Sequence, residues 1–239
     1  MTSESSTGRS VLRPSFPCRG TDLTAARRCE QTVFGRHFGN TAEELATAYG
    51  PYESTTSFGA IFRADGVALG AVRLVRPGRL PLKTLVDAGE APWNVSAEAI
   101  EQVIGAGDVA AQATWDIASF GVDTVAAGAD PRIAVALLSV MFGAFRDNAV
   151  GGFVAILDAA ARRPLRGLGM RLLDLPGATP QPYLGSANSV PVHRRVAELR
   201  LEHQAALPLV HRQIFHGQGI EGLDDALVAP GCFVLQPGA

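Results

Sequence analysis

Lysine is almost missing from this chain: Lys83 is the single lysine among 21 basic residues. The arginine excess reflects either a GC-rich genome or selection for bidentate anion contacts. An excess of charge of one sign is missing too, since 21 Lys+Arg face 23 Asp+Glu for a formal net charge of -2. No global positive field is available to gather nucleic acid or an anionic membrane, so a small molecule or a protein is the expected partner. Cysteine is scarce: Cys18, Cys29 and Cys232 lie far apart with no C-x-x-C spacing, which argues against a disulfide framework or a zinc site. Nothing approaches the roughly 18 uninterrupted apolar residues of a membrane-spanning helix, and MTSESSTGRSVLRPSFP at the N-terminus has no apolar signal core. A cytoplasmic location is therefore expected.

What is present suffices to fold. With 239 residues, 47% of them hydrophobic and 18% charged, the chain can bury a sizeable core and is not intrinsically disordered. The Ser-, Arg- and Pro-rich residues 1–18 are expected to form a mobile arm, 19–239 a single α/β domain, and 192–239 its C-terminal helical extension. Thr21 or Asp22 can cap a helix running to about Phe38, and Asn40 or Thr41 a shorter one closed by Gly50. TTSFGAIFRADGVALGAVRLVRP carries two apolar runs around Ala64-Asp65-Gly66, a strong hairpin signal. Residues 77–111 read as a connection with one or two short helices. The segment 112–122, QATWDIASFGV, predicts a strand with Trp115, Ile117 and Ser119 on one face and Asp116, Ala118 and Phe120 on the other.

Asp130-Pro131 opens an apolar helix, GGFVAILDA reads as a strand buried on both faces, and ARRPLRGLGM as a short helix ended by Gly167 or Gly169. MRLLDLPG begins another strand, and the polar Pro/Gly segment 176–191 carries no predicted element. Residues 192–217 predict an amphipathic helix that Pro208 should kink or divide. This order predicts a mixed sheet covered on both faces. His211 and His216 do not share a helix face as an i,i+4 pair would, so no metal site is expected.

Four patches, taken in order, resemble the GNAT acyltransferase superfamily, and within it the autoinducer-synthase-like branch of acyl-homoserine lactone synthases and N-acyl amino acid synthases. They are the early helix with Glu30 and Phe34, the hairpin ending GAVRLVRP with Arg73, the strand WDIASFGVD, and RRPLRGLGMRLL; together they span about residues 21–190. The resemblance implies an acyl donor held as a pantetheine thioester, either acyl-CoA or acyl-phosphopantetheine on an acyl carrier protein, and a small-molecule amine as acceptor. The donor would lie where strands 112–121 and 152–158 splay apart, its amides pairing with the exposed strand edge. Phe120, Gly121 and Val122 would present backbone N–H groups to the thioester carbonyl, the plain alternative being that Gly121 only ends a strand. The loop from Ala126 to Asp130 would meet the donor's phosphate, although of the superfamily's glycine pattern only Gly128 is kept and Asp130 would repel a diphosphate.

The branch's strand acid is Asp116 here, the expected base for the acceptor amine, or else a structural acid paired with Arg73 or another arginine, or a solvated edge residue. Glu53 and Arg73 would hold the acceptor's ammonium and carboxylate, unless they are solvated charges at the sheet's rim. Trp93 and Trp115 would wall the acyl tunnel, the alternative being that they are plain core, and Ser119 takes the place of the branch's arginine beside the acceptor. Tyr183 would reprotonate the leaving thiolate. Arg162 and Arg166 share one face of a short helix and would meet an acidic carrier or its phosphate, unless they are spent on Asp158 and Asp174. Lactone synthesis fits less well than simple N-acyl transfer, because the branch's acidic D-x-D cluster is missing and Ser119 replaces its arginine. An acetyl-CoA-dependent acetyltransferase and a non-catalytic thioester- or partner-binding protein of the same fold are the other readings. An open, donor-sized cleft bearing Asp116 favours an enzyme, and a cleft plugged by side chains a binder.

Overall fold

A computed structural model, describing residues 11–105 and 113–236, builds one mixed sheet of eight strands. The chain runs through β1 (Leu12–Ser15), α1 (Gly20–Phe38), α2 (Ala42–Tyr49), a 3-10 turn (Gly50–Thr55), β2 (Thr56–Arg63) and β3 (Ala68–Val75). Next come α3 (Lys83–Gly89), α4 (Ala97–Ile104), β4 (Thr114–Val122), α5 (Pro131–Asp147), β5 (Gly152–Asp158) and α6 (Ala159–Gly167). β6 (Leu173–Asp174), β7 (Gln181–Tyr183), β8 (Ser186–Arg195), α7 (Val196–Ala206) and α8 (Pro208–His216) follow. The first and last parts of the sheet order, β1-β2-β3-β4-β5-β8-β6, are antiparallel, and only β4 and β5 run parallel, as a strand-helix-strand crossover requires.

Local chemistry sets several of these boundaries. Thr41 and Glu44 form a reciprocal capping box at α2, with the Thr41 Oγ1 accepting the Glu44 N–H at 3.1 Å and the Glu44 carboxylate accepting the Thr41 N–H at 2.7 Å. Asp130 caps α5 ahead of Pro131, and Gly39 ends α1 at φ 73, in the left-handed region where a side chain would be strained. Pro208 divides the expected C-terminal helix into α7 and α8.

The sheet is covered on both faces. Ala26, Cys29 and Val33 of α1 pack on Phe58, Ala60, Phe62 and Ala71, while Ile61, Val72 and Leu74 face α5 on the other side. α8 backs α5 through Phe142 and Phe215, whose ring centroids are 4.4 Å apart.

Three expectations change. The described part of the expected arm is an edge strand: β1 pairs antiparallel with β2 from Leu12↔Arg63 to Ser15↔Ala60, and Leu12, Phe16 and Cys18 are buried. Those apolar anchors outweigh the polar composition around them; residues 1–10 lie outside the described residues, as do 106–112 of the connection and of the strand's first residue. The polar segment before 192 holds the long strand β8, paired with β5 from Gly152↔Arg195 to Asp158↔Ser189, so the helical extension begins at Val196. Val190 and Val192 alternate inward there, a period hidden by the prolines and serines between them. The strand expected around MRLLDLPG shrinks to Leu173–Asp174.

Candidate active site

β4 and β5 are hydrogen-bonded neighbours only over Thr114↔Gly152, Trp115↔Phe153 and Asp116↔Val154. Beyond Asp116 they separate, while β5 stays paired with β8 as far as Asp158. A cleft of about 290 Å³ opens in the gap, lined by Ile117 to Val122 on one side and Ala155 to Asp158 on the other. Its walls are mainly apolar, and its polar groups come from Asp116, Lys83, Thr84, Tyr49 and Tyr183 together with Asp158 and Ser119, Ser186 and Ser189.

The free edge of β4 is built by an irregularity. The β3–β4 register shifts between Arg73↔Ser119 and Leu74↔Ile117, leaving Ala118 as an extra residue. Asp123 donates its N–H to the Leu69 carbonyl of β3 at 2.9 Å; alternation then turns the Gly121 N–H to β3 as well, and the Phe120 and Val122 N–H groups to the splayed edge. Of the three expected donors, Phe120 and Val122 therefore face the cleft. Gly121 has a different constraint, since a Cβ there would meet Val33 Cγ1 of α1 at 2.8 Å. The extra residue also breaks the face assignment read from the sequence. Trp115 packs edge-on against Phe145 of α5, at 6.0 Å between ring centroids, and is a core residue outside the cleft lining. Ser119 turns to the α1 side.

Asp116 is wholly buried, and both its oxygens accept from Thr84: Oδ2 from the backbone N–H at 2.6 Å and Oδ1 from the hydroxyl at 2.8 Å. Burial pushes its carboxyl up to about 6, against the pull of these two bonds and of the Lys83 ammonium. Among the described residues Asp116 pairs with no arginine; it ties the start of α3 to the sheet and faces the cleft. One turn along α3, Asp87 accepts from Lys83 Nζ at 2.5 Å and from the Tyr183 hydroxyl, which itself accepts from Lys83 at 3.0 Å. Burial, Tyr49 and the Asp87 carboxylate push the Tyr183 hydroxyl far above its ordinary range. With its proton directed at Asp87, Tyr183 is held as a neutral donor in a fixed position, which differs from the expected free acid.

Arg73 and Glu53 are also placed differently from expectation. The Arg73 guanidinium makes a bidentate pair with Glu30, at 2.9 and 2.6 Å, and lies over the rings of Tyr49 and Phe58 at 4.5 and 4.7 Å. Both partners are buried, and the Ser119 hydroxyl donates to the same Glu30 carboxylate. Arg73 is thus committed before any acceptor arrives. Glu53 is half exposed, pairs with Arg27 and, at 3.9 Å, with Arg73, and opens on a separate hollow beside Pro17 and Phe58. Tyr49 joins the buried pair to the cleft: its ring lies under both Arg73 and Lys83, and its hydroxyl donates to the Ala118 carbonyl at the bulge at 2.8 Å.

Gly128 lies in a loop that turns inward on itself, at φ 64, and does not line the cleft. Arg162 pairs with Asp174 at 2.7 Å. Arg166, with Arg162 and Arg171, lines a groove of about 890 Å³ between α6 and α7 that shares Leu157 and Leu165 with the cleft. Trp93 packs on Tyr183 at 5.3 Å between ring centroids. The residues that sequence reasoning missed are Lys83, Thr84, Asp87 and Tyr49. Only Lys83, by being the one lysine, carried a signal that could have found it.

No family model and no curated protein matches the sequence. Solved structures do. FeeM, an N-acyl amino acid synthase from uncultured soil microbes, superposes with a TM-score of 0.59 at 18% identity, covering 86% of this chain and all of that one. BjaI, a CoA-dependent acyl-homoserine lactone synthase solved with SAM and isopentyl-CoA, superposes with a TM-score of 0.52 at 14% identity, covering 82% of this chain and 89% of that one. At such identities the likeness is one of architecture. The chain shares the fold of these two acyltransferase structures, the architecture that the sequence resemblance implied.

Proposed function

We propose that the protein is an N-acyltransferase that moves an acyl group from a pantetheine thioester to the amine of an amino acid or similar small metabolite. The observation that carries this reading is the unpaired edge of β4 beyond Asp116, which lines an open cleft with a buried carboxylate at the point of separation. An extended pantetheine arm pairs its amides with such an edge as an added strand would. The Phe120 and Val122 N–H groups then stabilise the oxyanion that forms when the amine attacks the thioester carbonyl. Asp116, with its carboxyl near 6, is ionised at neutral pH and basic enough to take the ammonium proton directly or through water. The C–N bond forms, the C–S bond breaks, and the thiolate leaves to regain a proton as the free thiol. Lys83, Asp87 and Tyr183 hold the acceptor side of the cleft in shape.

Each reactive role is a proposal, and so is a carrier protein as donor partner, which the arginines of the α6–α7 groove would meet. The open cleft supports turnover over mere thioester binding. The test is mass spectrometry of the protein incubated with acyl-pantetheine thioesters of several chain lengths and a panel of primary amines. Amide product matched by free thiol supports the reading, and thioester left intact with every amine overturns it.

A further inference from the structure

We propose that the loop leading into α5 is closed to a diphosphate by the chain's own carboxylates, so that the donor is recognised through pantetheine and at most one phosphate. On this view the nucleotide end of coenzyme A adds nothing to binding. The inference deepens the acyltransferase reading and rests on it.

A helix start holds an anion through N–H groups that no other acceptor has taken. Here they are taken. Val125 and Ala126 donate to the Asp123 carboxylate at 3.1 and 3.3 Å, and Ala127 to the Asp123 carbonyl at 2.8 Å. Gly128, Ala129 and Asp130 donate to carbonyls within the same loop at 3.4, 3.0 and 3.3 Å. Pro131 has no N–H, Arg132 donates its own to Asp130 Oδ1 at 2.9 Å, and Ile133 donates to the Asp130 carbonyl at 3.2 Å. The Asp123 carboxylate thus occupies the position in which a phosphate oxygen would collect the loop's donors.

The nearby cations are committed as well. Arg36 holds Asp123 at 2.7 Å, and Arg132 grips Asp130 through Nε and Nη2 while its Nη1 donates to the Glu221 carbonyl at 2.8 Å. Burial raises the Asp123 carboxyl, but Arg36 and the two N–H bonds outweigh it and hold it ionised. An incoming diphosphate would meet two carboxylates and would have to break their bonds before making its own. Unspent positive charge lies elsewhere: Arg166 and Arg171 have no ion pair among the described residues, and they line the groove that adjoins the cleft.

The test is competition against a working acyl-pantetheine donor by pantetheine, 4′-phosphopantetheine and coenzyme A, each with the wild-type protein. Inhibition constants for phosphopantetheine and coenzyme A within about threefold of each other are expected, a difference below one hydrogen bond to a charged group. Coenzyme A binding tenfold or more tightly than phosphopantetheine would overturn the proposal while leaving the acyltransferase reading intact. Failure of all three to compete would overturn the proposal, because a donor that is turned over would then not be recognised through its pantetheine; the acyltransferase reading falls only if no acyl-pantetheine donor is turned over with any amine. Asp123→Ala should shift the ratio roughly tenfold toward coenzyme A by freeing two N–H donors and removing a charge. Asp123→Asn, which keeps the loop's acceptor and hence its shape, should shift it less and in the same direction; no shift in either variant counts against the proposal.

Discussion

Replacing Asp116 by asparagine should make the protein more stable and less active at once. The carboxyl is wholly buried and its pKa is moved from 3.8 to about 6, chiefly by loss of solvation. Folding must therefore bear the cost of an ionised group at neutral pH, about 3 kcal/mol at 1.36 kcal/mol per pH unit. The direction in pH follows from proton binding. Between about pH 4 and 6 the folded chain holds a proton on Asp116 that the unfolded chain has released, so stability falls as pH rises through that window. Asparagine carries no charge at any pH and can still accept the Thr84 N–H while donating to the Thr84 hydroxyl. The variant should match the wild type near pH 4, gain through the window, and melt roughly 5–10 °C higher at pH 7.5. Its kcat/KM should fall by roughly 10²-fold, the scale of a lost general base, with loss of the rise in rate through about pH 6 expected of the wild type. Differential scanning calorimetry across pH and a thiol-release assay measure the two effects. A variant less stable than the wild type at pH 7.5, or a stability gain equal at pH 4 and pH 7.5, would refute the burial argument. A stabilised variant with full activity would leave Asp116 only the task of tying α3 to the sheet, and a solvated acid elsewhere in the cleft would have to act as base.

Glu30→Gln should destabilise the fold by at most about 3–5 kcal/mol in urea denaturation, since it leaves the buried Arg73 only the half-exposed Glu53 carboxylate 3.9 Å away; a Glu30→Gln/Arg73→Met double variant should recover much of the loss. Gly121→Ala should cost about 1–3 kcal/mol through overlap with Val33, and Val33→Ala should relieve it; an unrelieved loss would point to the backbone at the cleft instead. Arg162→Glu combined with Arg166→Glu should weaken binding of an acidic acyl carrier protein and flatten its salt dependence, measured by titration from low to high ionic strength. Because Arg162 already pairs with Asp174, Arg166→Glu alone should carry more of that loss than Arg162→Glu alone.

Local chemistry made much of this molecule legible from sequence alone. Asp65-Gly66 fixed the β2–β3 hairpin, Thr41 with Glu44 the start of α2, Asp130-Pro131 the start of α5, and Pro208 the break between α7 and α8. Each of these signals acts within a few residues and needs no distant partner. Apolar runs located β4 and β5, and their parallel pairing, the splay and the free edge followed from the resemblance. The remainder depended on what tertiary contact brings together. β1 and β8 are strands because Leu12, Phe16, Val190 and Val192 find apolar partners across the sheet, which polar neighbours in sequence concealed. The one-residue bulge at Ala118 moved Ser119 to the face opposite Trp115, since a single extra residue inverts every later side chain on a strand. Arg73 looked free to bind a substrate and is instead satisfied by Glu30, 43 positions away. Asp123 and Asp130 close their own loop by hydrogen bonds whose geometry no residue count contains. Sequence determined which carboxylates and cations exist near the cleft; only the folded chain decided which were already spent on one another, because ion pairing and desolvation depend on distances that the backbone alone sets.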